Sequence, residues 1–320
     1  MEIETVCIIG GAGFVGRSIA DLACAAGHRV RVVTRARARA RDLTVLPTVE
    51  VMVANVNDDK ALARAVDGMD AVVNLAGILN PSGRVSFQSS HVELPRRIGH
   101  AARKAGVRRF LHMSALGASN DGPSEYLRTK GEGEVVVRTG PSETAWTIFR
   151  PSVIFGANDK LTNMFATLAR ISPVIPLARA QARFQPVWVE DVARCFVSAL
   201  RDGRTFRRTY DLCGPRVYTL EEMVRFVVQT LGLKRTIVAL PDPVAKMQAF
   251  TFEHLPGKLI SRDNLLSMSV DNVCGGPFPA VFGFTPSAME GVAPEYLTGS
   301  TPRSRYDRYR HLAGRAGWPH

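Results

Sequence analysis

The 320-residue chain has no apolar run approaching the roughly 20 residues that a bilayer-spanning helix needs, which argues against a transmembrane segment. Its opening, Met1-Glu2-Ile3-Glu4, is acidic and leads straight into a strand-like run, so it does not resemble a signal peptide and the chain is expected to stay in the compartment where it is made. Cysteine is scarce: Cys7, Cys24, Cys195, Cys213 and Cys274 are odd in number and scattered, with no Cys-x-x-Cys or Cys/His cluster for zinc. They read as reduced, mostly buried thiols in a cytosol-like compartment, in a chain long enough to be stable without a disulfide and with no metal site expected. Acidic residues are missing altogether from Leu22 through Arg41.

Arginine fills that gap. Lys and Arg number 41 against 29 Asp and Glu, a net charge of +12, and the excess gathers in six arginines between Arg29 and Arg41 and five between Arg303 and Arg315. Such a balance suits an anionic partner: a phosphorylated cofactor, an anionic membrane surface or nucleic acid. Neither cluster interleaves aromatic residues for base stacking, and no helix-turn-helix or zinc-finger pattern accompanies them, so nucleic acid is the weakest of the three.

Up to about residue 155, β-branched apolar runs alternate with helix-like segments, the rhythm of a parallel sheet covered on both faces. The expected strands are Thr5–Gly10, Arg29–Thr34, Val49–Ala54, Ala71–Leu75, Arg109–Ser114 and Ala145–Phe149, with helices starting near Gly13, Asp58, Gln88 and Pro123. Beyond Pro151 proline-rich turns break the rhythm. One stretch is expected to return to the sheet: Gln185–Val189, a helix from Glu190 to about Arg201, and the strand Arg208–Cys213. The fold class is therefore α/β, a doubly wound parallel sheet of the Rossmann type with a smaller carboxy-terminal α+β substrate region. Residues 1–155 and about 185–213 form the first unit, 156–184 and about 214–300 the second, and 301–320 a basic tail.

The strand Val6–Ile9 runs into Gly10-Gly11-Ala12-Gly13-Phe14-Val15-Gly16 and then into a helical segment. In that context Gly10 permits the tight turn, Gly13 lets the backbone approach a pyrophosphate, and Gly16 lets helix pack closely on strand. The phosphates would rest on the helix amino terminus, with Phe14 and Val15 beside them. An NAD site places an acid at the end of the second strand; this chain places Arg35 there, followed by Arg37, Arg39 and Arg41. A guanidinium pairs with a 2′-phosphate, so NADP(H) is favoured over NAD(H) with Arg35 as the contact, whereas the other three read equally well as a solvated face. Asn55 after the third strand and the small residues Ala76-Gly77 after the fourth are further cofactor contacts.

At the end of the fifth strand stands Ser114, and twelve residues later Tyr126-Leu127-Arg128-Thr129-Lys130 sets Tyr126 and Lys130 on one helix face. These are the candidate catalytic trio: the serine holds a substrate oxygen, the tyrosine exchanges a proton with it, and the lysine lowers the phenol pKa and binds the nicotinamide ribose. Phe149-Arg150-Pro151-Ser152-Val153-Ile154-Phe155-Gly156 follows the sixth strand and resembles the Arg-Pro-x-x-Ile/Val-Tyr/Phe-Gly segment of extended short-chain dehydrogenases/reductases, a resemblance that implies Pro151 and Val153 as cofactor contacts. Arg150 and Asp191 read as structural ion-pair partners.

The glycine loop resembles the Thr-Gly-x-x-Gly-x-x-Gly loop of extended and atypical short-chain dehydrogenases/reductases, the epimerase/dehydratase superfamily, with Ile9 at the Thr position. The segment from Phe149 and the stretch Gln185–Ala193 resemble the same superfamily. Leu259–Leu265, Ser269–Val273 and Phe282–Glu290 are similar to the carboxy-terminal part of proteins related to the dinucleotide-binding accessory subunit of respiratory complex I. That resemblance implies stably bound NADPH and a quinone- or membrane-associated setting, cytoplasmic or peripheral at the inner face of a membrane. Two roles follow. One is a reductase acting on or near a quinone or another apolar carbonyl compound; the apolar segment Ile237–Phe252 could cover that substrate, although it reads more simply as core. The other is a structural or assembly subunit that holds NADPH without turnover and docks on a respiratory complex or membrane through its basic tail. A nucleotide-sugar epimerase would call for tightly held NAD⁺, which the arginine cluster opposes.

Overall fold

A computed structural model describes residues 2–83, 85–140, 144–244, 247 and 261–299. The basic tail, Leu259–Ile260 and all but Met247 of the stretch after Val244 in the expected substrate cover lie outside the described residues.

The apolar runs form a seven-stranded parallel sheet. Its strands are β1 (Thr5–Ile9), β2 (Arg29–Thr34), β3 (Val49–Val53), β4 (Ala71–Asn74), β5 (Arg109–Met113), β6 (Ala145–Pro151) and β11 (Arg208–Leu212), in the order β11-β6-β5-β4-β1-β2-β3. Both faces are covered, and alternate residues of β1 show how. Val6 and Ile8 pack with Ile19 and Ala23 of α1 (Phe14–Ala25) and with Val192 and Phe196 of α6 (Val189–Arg201). Cys7 and Ile9 face the opposite way, onto Leu62 of α2 (Asp59–Val66) and Ile98 of α3 (Leu94–Lys104). A strand buried on both sides needs no polar alternation, which is why these segments read as unbroken apolar runs. The order reverses between β1 and β4, so the loops leaving their carboxyl ends part and open a crevice.

Past β6 the elements are shorter. Strands β7 (Ile154–Phe155) and β10 (Val187–Trp188) pair in parallel, β9 (Arg183–Phe184) and β12 (Tyr218–Thr219) antiparallel, and β8 (Val174–Leu177) and β13 (Thr236–Ala239) in parallel. With α5 (Leu161–Ile171), α7 (Leu220–Thr230) and α9 (Met289–Leu297) they enclose a second apolar cluster, including Phe165, Leu177, Met223, Val227 and Ala293. Between them α8 (Arg262–Ser267) lies on α4 (Glu125–Arg138). No helix among the described residues is long and apolar enough to cross a membrane.

The cysteine reading needs correction. Cys213, directly after β11, is disulfide-bonded to Cys274, with 6.1 Å between their Cα atoms. Only Cys7, Cys24 and Cys195 are free. Pairing is decided by Cα separation in the fold, and a sequence separation of 61 hides it from any spacing rule. The inference of a reducing compartment from scattered cysteines falls with it.

Candidate active site

The crevice is built from loop ends. At the turn after β1, Gly10 has φ +82°, a left-handed conformation that side chains disfavour, and it lies against the backbone of Leu75 and Ala76 on the β4 loop. At Gly16 a Cβ would stand 2.5 Å from Gly11 Cα, so only glycine lets the first turn of α1 close onto the loop. Gly13 is the exposed N-cap of α1; no side chain caps that end and no acid lies in its first turn, while Phe14 is half-buried and Val15 buried. Uncapped amides at the head of a 12-residue helix, approached through glycine, suit a diphosphate.

Arg35 is exposed just beyond β2 and has no ion pair among the described residues. Arg37 and Arg41 line a hollow of about 320 Å³ with Ala38 and Thr44. Arg17, one residue beyond Gly16, donates to Arg39 O at 2.6 Å and pairs with Asp42 at 3.3 Å, fastening this cationic segment to α1. Asn55 is exposed, its side-chain oxygen accepting from Asn57 N. On the β4 loop, the buried Asn74 accepts from the N–H of half-buried Ala76 at 3.1 Å and donates to His112 Nδ1 at 3.1 Å, which leaves the His112 proton on Nε2. Burial and the charge of Lys130 push His112 down to about 3.

Lys130 links the end of β5, where Ser114 stands, to the helix face that carries Tyr126. Ser114 N–H donates to Phe149 O at 2.7 Å, tying the end of β5 to β6, and its buried Oγ has no hydrogen-bond partner among the described residues. Lys130 Nζ donates to Met113 O at 3.1 Å, next to Ser114, and stands 5.9 Å from the centre of the Tyr126 ring. A Cβ on Gly77 would lie 3.2 Å from that same ammonium, so the glycine brings the β4 loop against it. Pro151 is buried and accepts from Leu116 N–H through its carbonyl; Val153 is half-buried, with its N–H donating to Asn272 Oδ1 at 3.2 Å.

The expected lowering of the phenol pKa by the lysine is not what these surroundings produce. Burial and the Asp263 carboxylate push Tyr126 up to about 12, and burial brings Lys130 down to about 8 against the opposing pull of Glu134. Arg150 is held by Glu134 at 2.7 and 2.6 Å, and Asp191 accepts from Ser287 N–H at 2.6 Å and pairs with Arg194 at 3.5 Å, so both are parts of structural contacts.

Two contributors were not among the expected site residues, although the second lies in a stretch that carries the family resemblance. His91 lies in a π-helical turn (Ser89–Glu93) ahead of α3. Its Nε2 accepts from Ile78 N–H at 3.2 Å, its Nδ1 meets Thr129 Oγ1 at 3.0 Å, and its ring stands edge-on to Tyr126 with centroids 5.4 Å apart. Burial and the charge of Lys130 push it down to about 2, so it is a neutral brace between the β4 loop and α4. A lone histidine in a helical segment offers no pattern to find it by. The second is the stretch from Ser261 to Cys274, whose Asp263, Asn264 and Asn272 reach the loops around the trio.

Residues 10–202 match a family described as NAD(P)H-binding. The chain is 31% identical over 246 residues to the 40 kDa subunit of NADH-ubiquinone oxidoreductase of Neurospora crassa mitochondria, covering 76% of this chain and 64% of that protein, so it spans under two thirds of that relative's length. It is also 31% identical over 241 residues to a ceramide reductase of Caulobacter vibrioides, covering 74% of each. A solved Escherichia coli NADPH-dependent quinone oxidoreductase, QOR2, bound to NADPH, superposes with a TM-score of 0.70 at 17% identity, over 91% of this chain and 99% of that one. With its reversed strand order and uncapped glycine loop, the chain belongs to the NAD(P)H-binding family of Rossmann proteins, in the epimerase/dehydratase-like branch of the short-chain dehydrogenase/reductase superfamily.

Proposed function

We propose that the chain binds NADPH in preference to NADH and reduces a quinone or another apolar carbonyl compound. The observation that carries this reading is the buried, unpartnered Ser114 Oγ, one residue along from the Met113 carbonyl that holds Lys130, with Tyr126 one turn before Lys130 on α4. An unsatisfied buried hydroxyl is costly, and a substrate oxygen would satisfy it. Ser114 would donate to that oxygen, Tyr126 would supply its proton, and Lys130 would bind the ribose. Bound dinucleotide supplies the hydride. Gly10, Gly13, Phe14, Val15 and Gly16 would hold the phosphates, Asn55 and Ala76 the adenine side and the middle of the cofactor, and Pro151 and Val153 the nicotinamide end. Exposed Leu79 and Leu266, on segments joined by the bond from Asn264 Nδ2 to Leu79 O at 3.4 Å, offer an apolar surface to the substrate.

A second reading is favoured by the Neurospora relative, named as a subunit of NADH-ubiquinone oxidoreductase. In it, NADPH stabilises the fold of a subunit docked on a respiratory assembly at a membrane surface, and the trio does not turn over.

Denaturing the purified protein and identifying the released dinucleotide separates NADPH from NADH and NAD⁺. Titrating the stripped protein should then give tighter binding of NADPH, and Arg35→Ala should weaken that binding about tenfold or more while barely changing NADH affinity. NADPH oxidation with a panel of quinones and carbonyl compounds, lost in Tyr126→Phe, supports the reductase. Tight NADPH with no oxidation across the panel supports the second reading, and tightly held NAD⁺ indifferent to Arg35 defeats both.

A further inference from the structure

The head of the helix that carries Tyr126 is held by a segment almost 140 residues downstream. Asp263 Oδ1 accepts from Glu125 N–H at 2.7 Å and Oδ2 from Tyr126 N–H at 3.2 Å. Ser124 Oγ accepts from Leu127 N–H at 3.1 Å and from the Ser267 hydroxyl at 2.8 Å. Three of the four amides that a helix start leaves without an internal partner are thus satisfied by side chains, two of them by one carboxylate from another element. A local cap such as Ser124 would have sufficed to start a helix. A carboxylate brought in over this sequence distance puts a fixed negative charge at the backbone of Tyr126 itself.

We propose that Asp263 is a positioning residue for Tyr126: seated on the two amides at the head of α4, its carboxylate fixes the place of the phenol and sets beside it a negative charge that opposes formation of the tyrosinate. The inference rests on the reductase reading for its consequence, not for its geometry. As hydride reaches the carbonyl carbon, the C–O π pair moves to oxygen and takes the Tyr126 proton, leaving a tyrosinate that must be reprotonated. A phenol kept neutral before the reaction serves that direction; one ionised in advance serves alcohol oxidation. The groups facing Tyr126 set the balance. Lys130 on its own helix is the cation, at 5.9 Å from the ring; His91 before α3 is neutral; Phe87 is apolar, with its ring 6.0 Å away; and the β4 loop from Leu75 to Pro81 carries no charge. Glu125 is the exposed neighbour in sequence, and α8 contributes Asp263 beside exposed Arg262. The pKa of Tyr126 is raised by burial and then by Asp263, in the direction this arrangement requires.

The test uses the full chain with its tyrosines replaced by 3,5-difluorotyrosine, whose more acidic phenol titrates while the fold survives, followed by fluorine NMR with Tyr126→Phe to assign the resonance. Asp263→Asn, which keeps an acceptor oxygen and loses the charge, should lower the ionisation midpoint of Tyr126 by on the order of one pH unit, about tenfold in its ionisation constant. Asp263→Glu should restore most of that shift, and NADPH affinity should stay within about twofold in both. Equal midpoints in wild type and Asp263→Asn would overturn the proposal, whatever happens to thermal stability. Should the midpoint move while no panel compound is reduced, the role of Asp263 stands and the reductase reading falls, so the two failures are distinguishable.

Discussion

Lys130 shows at the scale of one residue how the site conflicts with stability. Lys130 itself is 4% exposed, burial is the leading cause of a pKa near 8, and among the described residues its hydrogen bond is to Met113 O. An unfolded lysine titrates near 10.5, so between about pH 8 and 10.5 the unfolded chain binds more protons and stability rises with pH there. The penalty of burying the charged form is complete below about pH 8 and fades as pH climbs towards 10.5; its size is about 3 kcal/mol. Lys130→Met, similar in length and uncharged, should therefore raise the melting temperature at pH 7, with about 1 kcal/mol of the gain offset by the carbonyl left unpaired. The gain should vanish near pH 10.5, and NADPH should bind more weakly at pH 7. Calorimetry at the two pH values checks this: a variant less stable than wild type at pH 7 would mean that Glu134 and Met113 O compensate the buried charge in full.

Among the elements, legibility followed the kind of order each one has. Strands β1 to β6 were expected within a residue or two of where they stand; the inner strands β1, β4 and β5 are buried on both faces and leave apolar runs, and the edge strand β11 was expected within a residue of where it stands although its Arg-Thr-Tyr-Asp-Leu is half-exposed. The two-residue strands β7, β9, β10 and β12 are too short to show any period. That Ser114 directly follows β5 and that Tyr126 and Lys130 lie one turn apart on α4 was legible from the strand pattern and the helical spacing. Asn272 was not, although it joins three loops: its Oδ1 accepts from Ser152 Oγ at 2.6 Å and Val153 N–H at 3.2 Å, and its Nδ2 donates to Leu116 O at 3.4 Å. These contacts depend on a chain returning from more than a hundred residues away, which no local pattern encodes. Asn272→Ala takes the side-chain partner from the Val153 amide and the Leu116 carbonyl, while the Ser152 hydroxyl keeps its bond to Asn272 O at 3.1 Å, so denaturant unfolding should show a loss of about 1–2 kcal/mol. Because Val153 lies at the proposed nicotinamide end, NADPH affinity should fall several-fold as well. An unchanged affinity in a destabilised Asn272→Ala would move Val153 away from the cofactor.

At the scale of the molecule, the same returning segment is fixed to the sheet by a covalent bond. Cys213 ends the chain's path through β11, Cys274 follows Asn272 by two residues, and Cys274 N–H donates to Gln185 Oε1 at 3.0 Å. The bridge therefore holds the segment bearing Asp263 and Asn272 across the trio. Closing a loop of 61 residues restricts the unfolded chain by up to about 4 kcal/mol on chain-entropy grounds. Reduction should lower the melting temperature by several degrees, and Cys213→Ser should reproduce that loss and abolish any further effect of the reductant. The change should also be local. Amide hydrogen exchange should quicken between Ser261 and Cys274, and at Glu125 and Tyr126 whose amides that segment holds, while β1, β4 and β5 keep their protection. Thiol counting on the denatured, unreduced protein gives the direct check. Three reactive thiols, Cys7, Cys24 and Cys195, mean that the bridge is formed, and five mean that the segment is held over the site by hydrogen bonds and packing without it.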